Sequence, residues 1–327
     1  MSSSSARNAD GSAGWKPPDL AGAVTVVAGA SRGAGRGIAL ALGDTRATVY
    51  VAGRTARGGP RPFDGAPGTI EDTAEEVTRR GGRGIPVPTD CSAEGEVAAL
   101  FERVERDEGR LDLLANGVWG SSRQSYDQFF GRDKRPFWEL PSVGWQESIH
   151  GGAYPHLPAS RHAARLMAPR RKGLIVSVTE PNDDYGGGGL FWLFTTMGHR
   201  CINQMAAAMS SSLAKVNVAI LALAPGFMRT ERVLMGLEGL PAAEREKAKK
   251  AYGFDKSEST EYVGRAVAAL AADPKVLSKT GKLLQVGDLA REYGFRDKDG
   301  RQPHFFEEVL VKMSPRTSGR GKKRGDA

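Results

Sequence analysis

A chain of 327 residues with 40% hydrophobic and 26% charged side chains has globular composition, which excludes a fully disordered, collagen-like or disulfide-framework protein. No stretch reaches the roughly 18 consecutive apolar residues of a membrane span. Met1 to Leu20 has no apolar core of a secretory signal, and the two cysteines, Cys91 and Cys201, point to a reducing compartment, so a soluble cytoplasmic protein is expected. The net charge of +8 is concentrated at one end: from Lys312 onward six basic residues stand against Asp326 alone, leaving +3 on the rest. Such short runs, without interleaved aromatics, read as a solvated terminus rather than a nucleic-acid tether.

Along the chain, β-branched runs alternate with helical patterns. Ala23 to Ala28 reads as a strand and Arg36 to Leu42 as the opening of a helix. Thr48 to Ala52 is a second strand, and Thr69 to Arg80 an amphipathic helix with Glu71 and Asp72 in its first turn, where acids suit the helix dipole. Gly84 to Pro88, Leu111 to Ala115, Leu174 to Val178, Val216 to Leu223 and Leu283 to Val286 read as further strands. Between them lie helices over Glu94 to Glu108, over Val143 to Met167 with a disturbance near Gly151 and Pro155, and over Met205 to Ala214. This alternation predicts a single doubly wound α/β domain of Rossmann type over residues 21–311. Its seven-stranded, mainly parallel sheet carries helices on both faces, with disordered segments at 1–20 and 312–327.

The first strand runs into Gly29-Ala30-Ser31-Arg32-Gly33-Ala34-Gly35. A glycine-rich turn between a first strand and first helix lets backbone approach a pyrophosphate, with a helix N-terminus behind the negative charge. These residues resemble the short-chain dehydrogenase/reductase family, whose loop has threonine where Ala28 stands here. Three more positions match in spacing: Asp90 after the third strand, Asn116 after the fourth, and the turn Pro225-Gly226-Phe227-Met228-Arg229-Thr230. The resemblance covers roughly Ala21 to Leu289. Finer wording, in Val118-Trp119-Gly120, Pro136-Phe137-Trp138-Glu139-Leu140 and Leu289 to Phe295, is similar to the subgroup of dehydrogenase/reductase member 1 and its actinobacterial relatives. It implies that Asp90 holds the adenine ring, that Pro225, Gly226 and Thr230 cradle the nicotinamide, and that Gly29, Ser31, Gly33, Gly35 and Asn116 belong to the cofactor site. It also implies a small-molecule substrate and a homodimer or homotetramer formed through the helices flanking the fifth strand. No metal, membrane or nucleic-acid partner is implied.

Cofactor choice follows from charge. An NAD site has an acid after the second strand; here that strand ends in Gly53-Arg54-Thr55, and Arg32 lies in the glycine loop. Two guanidinium groups suit a 2′-phosphate, so NADP(H) is expected.

The family's reaction uses a Tyr-x-x-x-Lys pair on the helix after the fifth strand, and that pair is missing here. The match through Ile202-Asn203-Gln204-Met205 puts Thr195 at the tyrosine position and His199 at the lysine position. Glu180 falls at the family's serine, beside Thr179, and Gly152 at the asparagine that often completes the set. A three-residue shift would bring Trp192 to the tyrosine position. Tyr252 and Lys256 have the spacing, but beyond the Pro225–Thr230 turn. Threonine has no acidic proton near neutral pH, so His199, Glu180 and Tyr185 are the candidate acid/base groups, His199 titrating near pH 7. Phe227, Leu234 and Met235 are candidate apolar walls. The leading expectation is an NADP(H)-dependent oxidoreductase acting on a carbonyl or alcohol with an atypical proton donor. The alternatives are a non-redox enzyme (cyclisation, dehydration or isomerisation) on the same fold and a catalytically inactive nucleotide-binding subunit.

Overall fold

The structure, a computed structural model, describes residues 15–59, 62, 65–120, 135–181 and 193–310. Seven strands, β1 (Val24–Ala28), β2 (Thr48–Gly53), β3 (Arg83–Pro88), β4 (Leu113–Asn116), β5 (Gly173–Val178), β6 (Val218–Ala224) and β7 (Leu283–Gln285), form one sheet in the order 3-2-1-4-5-6-7. Every neighbouring pair is parallel. The central strands read as continuous apolar runs because both faces are covered; all five residues of β1 and all seven of β6 are buried.

The helices are α1 (Gly33–Gly43), α2 (Ile70–Arg79), α3 (Glu94–Glu108), α4 (His156–Met167), α5 (Leu193–Lys215), α6 (Glu231–Glu238), α7 (Ala242–Ala251), α8 (Thr260–Ala272) and α9 (Val286–Tyr293). One apolar cluster, including Val27, Ile38, Val51, Leu221, Val263 and Leu289, fills one side of the sheet. A second, including Val26, Leu100, Leu114, Ala163 and Ile220, fills the other. The helical pattern from Val143 to Met167 is interrupted as its glycines and proline predict. A single turn at Val143–Trp145 passes into a π-helical stretch, Gln146–Ala153, and α4 begins after Pro155.

Three boundaries differ from the sequence reading by more than two residues. Helix α1 begins at Gly33 rather than Arg36, because the last two loop glycines are themselves helical. Helix α5 begins at least by Leu193 rather than Met205, so Thr195 and His199 lie on the same helix as Asn203. Residues 15–20, assigned to a disordered segment, pack on the domain. Trp15 sits edge-on to Phe295 at 5.9 Å with Arg265 over its ring, and the Leu20 amide donates to the Thr45 carbonyl. Residues 1–14 and the basic run from Lys312 lie outside the described residues. Among the described residues no helix is long and apolar enough to cross a membrane.

Candidate active site

In this strand order successive strands are added on one side of β1 up to β3 and on its other side from β4, and the crevice of an open parallel sheet lies beyond the carboxyl ends of β1 and β4, where that order switches. There Gly29 holds φ +76°, and a Cβ added to it would stand 2.9 Å from the Gly117 backbone. Only glycine lets the ends of β1 and β4 close up in this conformation. Gly35 packs beneath Gly29 rather than into the crevice.

A cleft of about 440 Å³ runs from this point in both directions. Gly29, Ser31, Arg32, Gly33, Arg54 and Asp90 line one part of it; Pro225, Gly226 and Thr230 line another, and Glu180, Thr195 and His199 are also on its wall. Most residues singled out in the sequence therefore share one cavity. Asn116 lies beneath it, fully buried, with its Nδ2 donating to Ser160 Oγ at 3.4 Å. Tyr185 and Trp192 lie outside the described residues. Tyr252 stacks on Phe227 at 5.8 Å, away from the cleft. Phe227, Leu234 and Met235 are not on the cleft wall; Met228 and Val233 supply its apolar surface from that segment.

The glycine-loop part has a defined donor set. The Gly33 N–H, at the start of α1, donates to Glu231 Oε2 at 2.8 Å, so this amide faces the cleft and takes an anionic oxygen. Arg32 spans to the loop after β2, its Nη2 donating to Thr55 Oγ1 at 3.1 Å and the Gly68 carbonyl at 3.2 Å, and its Nε to the Pro67 carbonyl. Arg54 is exposed on the cleft wall and makes no hydrogen bond or ion pair among the described residues. Asp90 Oδ1 accepts from the Ser92 amide and hydroxyl at 2.9 and 2.6 Å. Burial works to raise the Asp90 pKa, but these bonds and the Arg54 charge outweigh it and hold the carboxyl below its ordinary range. The nearby Cys91 thiol is buried and pushed up to about 12, which makes it inert.

The other part is built around an imidazole. His199 stacks on the Trp119 indole with ring centroids 4.0 Å apart and planes within 5°. Its Nδ1 lies 3.4 Å from Thr179 Oγ1 and its Nε2 3.6 Å from Glu180 Oε1. Burial pulls the imidazole below its ordinary pKa, and the Glu180 carboxylate opposes this only in part, so the packed site favours the neutral imidazole more than a free histidine side chain does. Glu180 is half exposed, with its backbone carbonyl held by Asn203 Nδ2 at 2.9 Å. Behind the site His156 is fully buried and lowered to about 4 by that burial, although the Val118 carbonyl, 3.2 Å from its Nε2, works the other way.

Sequence reasoning did not single out Trp119 for the site. Its indole passes over two glycines: a Cβ at Gly152 would meet it at 2.9 Å and one at Gly198 at 2.8 Å. The absence of a side chain at Gly152, noted only as a departure from the resemblance, was the available signal. Glu231 and Arg232, both half-buried, were missed as well, since an acid–base pair after a turn carries no signal of its own.

Residues 23–235 match the short chain dehydrogenase family. The chain is 39% identical over 288 residues to dehydrogenase/reductase SDR family member 1 of Mus musculus, covering 86% of this chain and 85% of that one. It is 37% identical over 287 residues to the Homo sapiens protein of the same name, covering 86% and 84%. In fold it is similar to the crystal structure of a short chain dehydrogenase from Mycobacterium thermoresistibile. There the TM-score is 0.69 at 21% identity, over 87% of this chain and 92% of that one. By the family match and the two relatives at 37–39% identity, and with the glycine loop of β1 and the Pro225–Thr230 turn facing one cleft, the chain belongs to the short-chain dehydrogenase/reductase family, whose members use NAD(P)(H).

Proposed function

We propose that the protein is an NADP(H)-dependent oxidoreductase interconverting a small-molecule alcohol and carbonyl, with His199 and Glu180 as its proton-transfer pair. One observation carries this reading: the anion-accepting Gly33 amide and the largely buried His199 imidazole line the same continuous cleft. The dinucleotide supplies or accepts hydride when bound; the chain supplies the proton. NADP(H) is favoured because Arg54 stands exposed after β2 with no acid at that point, whereas Arg32 is engaged with the loop backbone.

Helix α5 carries no tyrosine, and its one lysine is Lys215 at the far end. The acid/base role passes to the imidazole. The Thr179 hydroxyl lies within reach of the His199 and Glu180 carbonyls, which only accept. With its proton so used, Thr179 Oγ1 accepts from Nδ1–H, and Nε2 is left bare beside Glu180. A substrate hydroxyl against Nε2 gives up its proton there, and the imidazolium formed is stabilised by the Glu180 carboxylate. In the reverse direction that imidazolium protonates the carbonyl oxygen. Thr195, on the same wall, orients the substrate oxygen as donor or acceptor. A homodimer or homotetramer through α4 and α5 accords with the exposed Leu157 and Met197 on those helices.

The test is a titration of NADPH and NADH followed by a spectrophotometric screen of alcohols and carbonyls. NADPH should bind at least about tenfold tighter, a difference of roughly 1.4 kcal/mol that one charge-assisted contact supplies. Arg54→Ala should erase that preference and leave NADH binding unchanged. Equal affinity for the two nucleotides would refute the cofactor choice. Tight binding without hydride transfer to any substrate would favour the second reading, a non-redox or purely nucleotide-binding role, to which the missing tyrosine–lysine pair points.

A further inference from the structure

The first amide of α1 is the natural place for a phosphate oxygen, because a helix N-terminus offers unpaired N–H groups and the positive end of its dipole. In this chain a carboxylate from 198 residues later takes that place: Glu231 Oε2 accepts from Gly33 N at 2.8 Å. The preceding residue, Arg32, makes no side-chain cap to α1, so the helix start has no local competitor for the donor. Glu231 is in turn the first residue of α6, whose N-cap Thr230 accepts from the Val233 amide at 3.3 Å. The contact therefore pins the whole start of α6 to the glycine loop. Arg232 and Val233, also on α6, are on the cleft wall.

We infer that Glu231 is an internal competitor for the cofactor phosphate at α1, so that dinucleotide binding releases α6 from the glycine loop. This rests on the reading of the cleft as a dinucleotide site and assigns a new role within it. Carboxylate and phosphate oxygens are the same class of acceptor, and two anions cannot share one N–H without repulsion. A dinucleotide that gains the Gly33 amide must displace Glu231. Its apparent affinity is lowered by the fraction of molecules in which the carboxylate holds the site. Because α6 carries part of the cleft wall, its position becomes linked to the presence of the cofactor phosphate.

Calorimetric titration of the full-length wild type, Glu231→Ala and Glu231→Gln with NADPH and with NADH tests this. Glu231→Ala should bind both nucleotides roughly fivefold tighter, the size of a helix-terminus charge effect, and Glu231→Gln should fall between. The gain should shrink at high salt, where the competing charge is screened. In wild type, NADPH should speed amide exchange over residues 231–238; in Glu231→Ala that exchange should be fast already. Should the alanine variant fold poorly, the glutamine variant carries the same comparison. Unchanged or weaker binding by the variants, or a gain confined to NADPH, overturns the inference and leaves the cofactor reading standing. Failure of wild type and variants alike to bind either nucleotide overturns the cofactor reading, and the inference with it.

Discussion

Replacing Glu258 by glutamine should make the protein's stability far less sensitive to alkali. Glu258 lies behind the Pro225–Thr230 turn, 1% exposed, bridged to it by its own amide on the Phe227 carbonyl and by the Arg229 amide on its carbonyl. Burial pushes its carboxyl from an ordinary 4.5 up to about 8; the Gly226 N–H and Arg229 oppose this, and Asp297 adds to it. Its Oε2 has no hydrogen-bond partner among the described residues. A carboxyl whose pKa is raised by folding stabilises the native state fully below the unfolded value, and that contribution is lost as pH rises through the folded value. Wild-type stability should thus decline between about pH 5 and pH 8 by roughly 4 kcal/mol, at about 1.4 kcal/mol per pH unit. That is a large part of the 5–15 kcal/mol or so that holds a typical domain together. Urea denaturation of both proteins at several pH values measures it. Glu258→Gln should match wild type near pH 5 and exceed it by most of that amount near pH 8.5. Parallel stability profiles for the two proteins would show that the buried carboxyl is not protonated and would refute the reasoning.

Adding one methyl group at Gly198 should displace the Trp119 indole, because that Cβ would stand 2.8 Å from both Trp119 Cη2 and the Ser148 carbonyl oxygen. Gly198→Ala should cost about 1–3 kcal/mol of stability, measured by thermal unfolding, and should change the tryptophan fluorescence. His199→Gln should lower the rate by roughly 10²–10⁴. Since burial lowers the His199 pKa below its ordinary value, the wild-type oxidation rate should rise, and the reduction rate fall, through a pH below about 6.5. An initial-rate profile of His199→Gln should be flat over the same range.

The fold was legible because its signals are local and periodic. The all-apolar β1 and β6, the acids opening α2 and the glycines after β1 each have one physical reading. The glycine-loop part of the cleft was legible for the same reason: chain position alone places Gly29, Gly33, Arg54 and Asp90 just beyond the ends of β1, β2 and β3, and all four line the cleft. What could not be read is what depends on distant partners. Nothing local marks Glu231 as a ligand of Gly33 or Glu258 as a buried acid: the first pairs across 198 residues, and the second is buried against Phe227 and Arg229 from an earlier turn and Asp297 from a later segment. His199 is legible by position, but the direction of its pKa shift is not: that is set by burial, opposed by Glu180, and both are properties of the packed site rather than of histidine. Helix α5 was read short because its first turns mix glycine, threonine and aromatics, poor helix formers whose helicity here comes from packing.

The Pro225–Thr230 turn thus sits between two glutamates that act on it in opposite ways. Glu258 fixes the turn from behind: it is buried, uncharged near neutral pH, and tied to the turn's backbone. Arg229 reinforces it there, held by Asp297 and Asp299 at 3.3 Å each and by the Ser257 carbonyl. Glu231 acts from the front through a half-buried carboxylate on a single amide, a contact that another anionic oxygen can replace. With the strong clamp behind and the exchangeable one in front, Pro225 and Gly226 keep their place while α6 is free to respond to what occupies the start of α1.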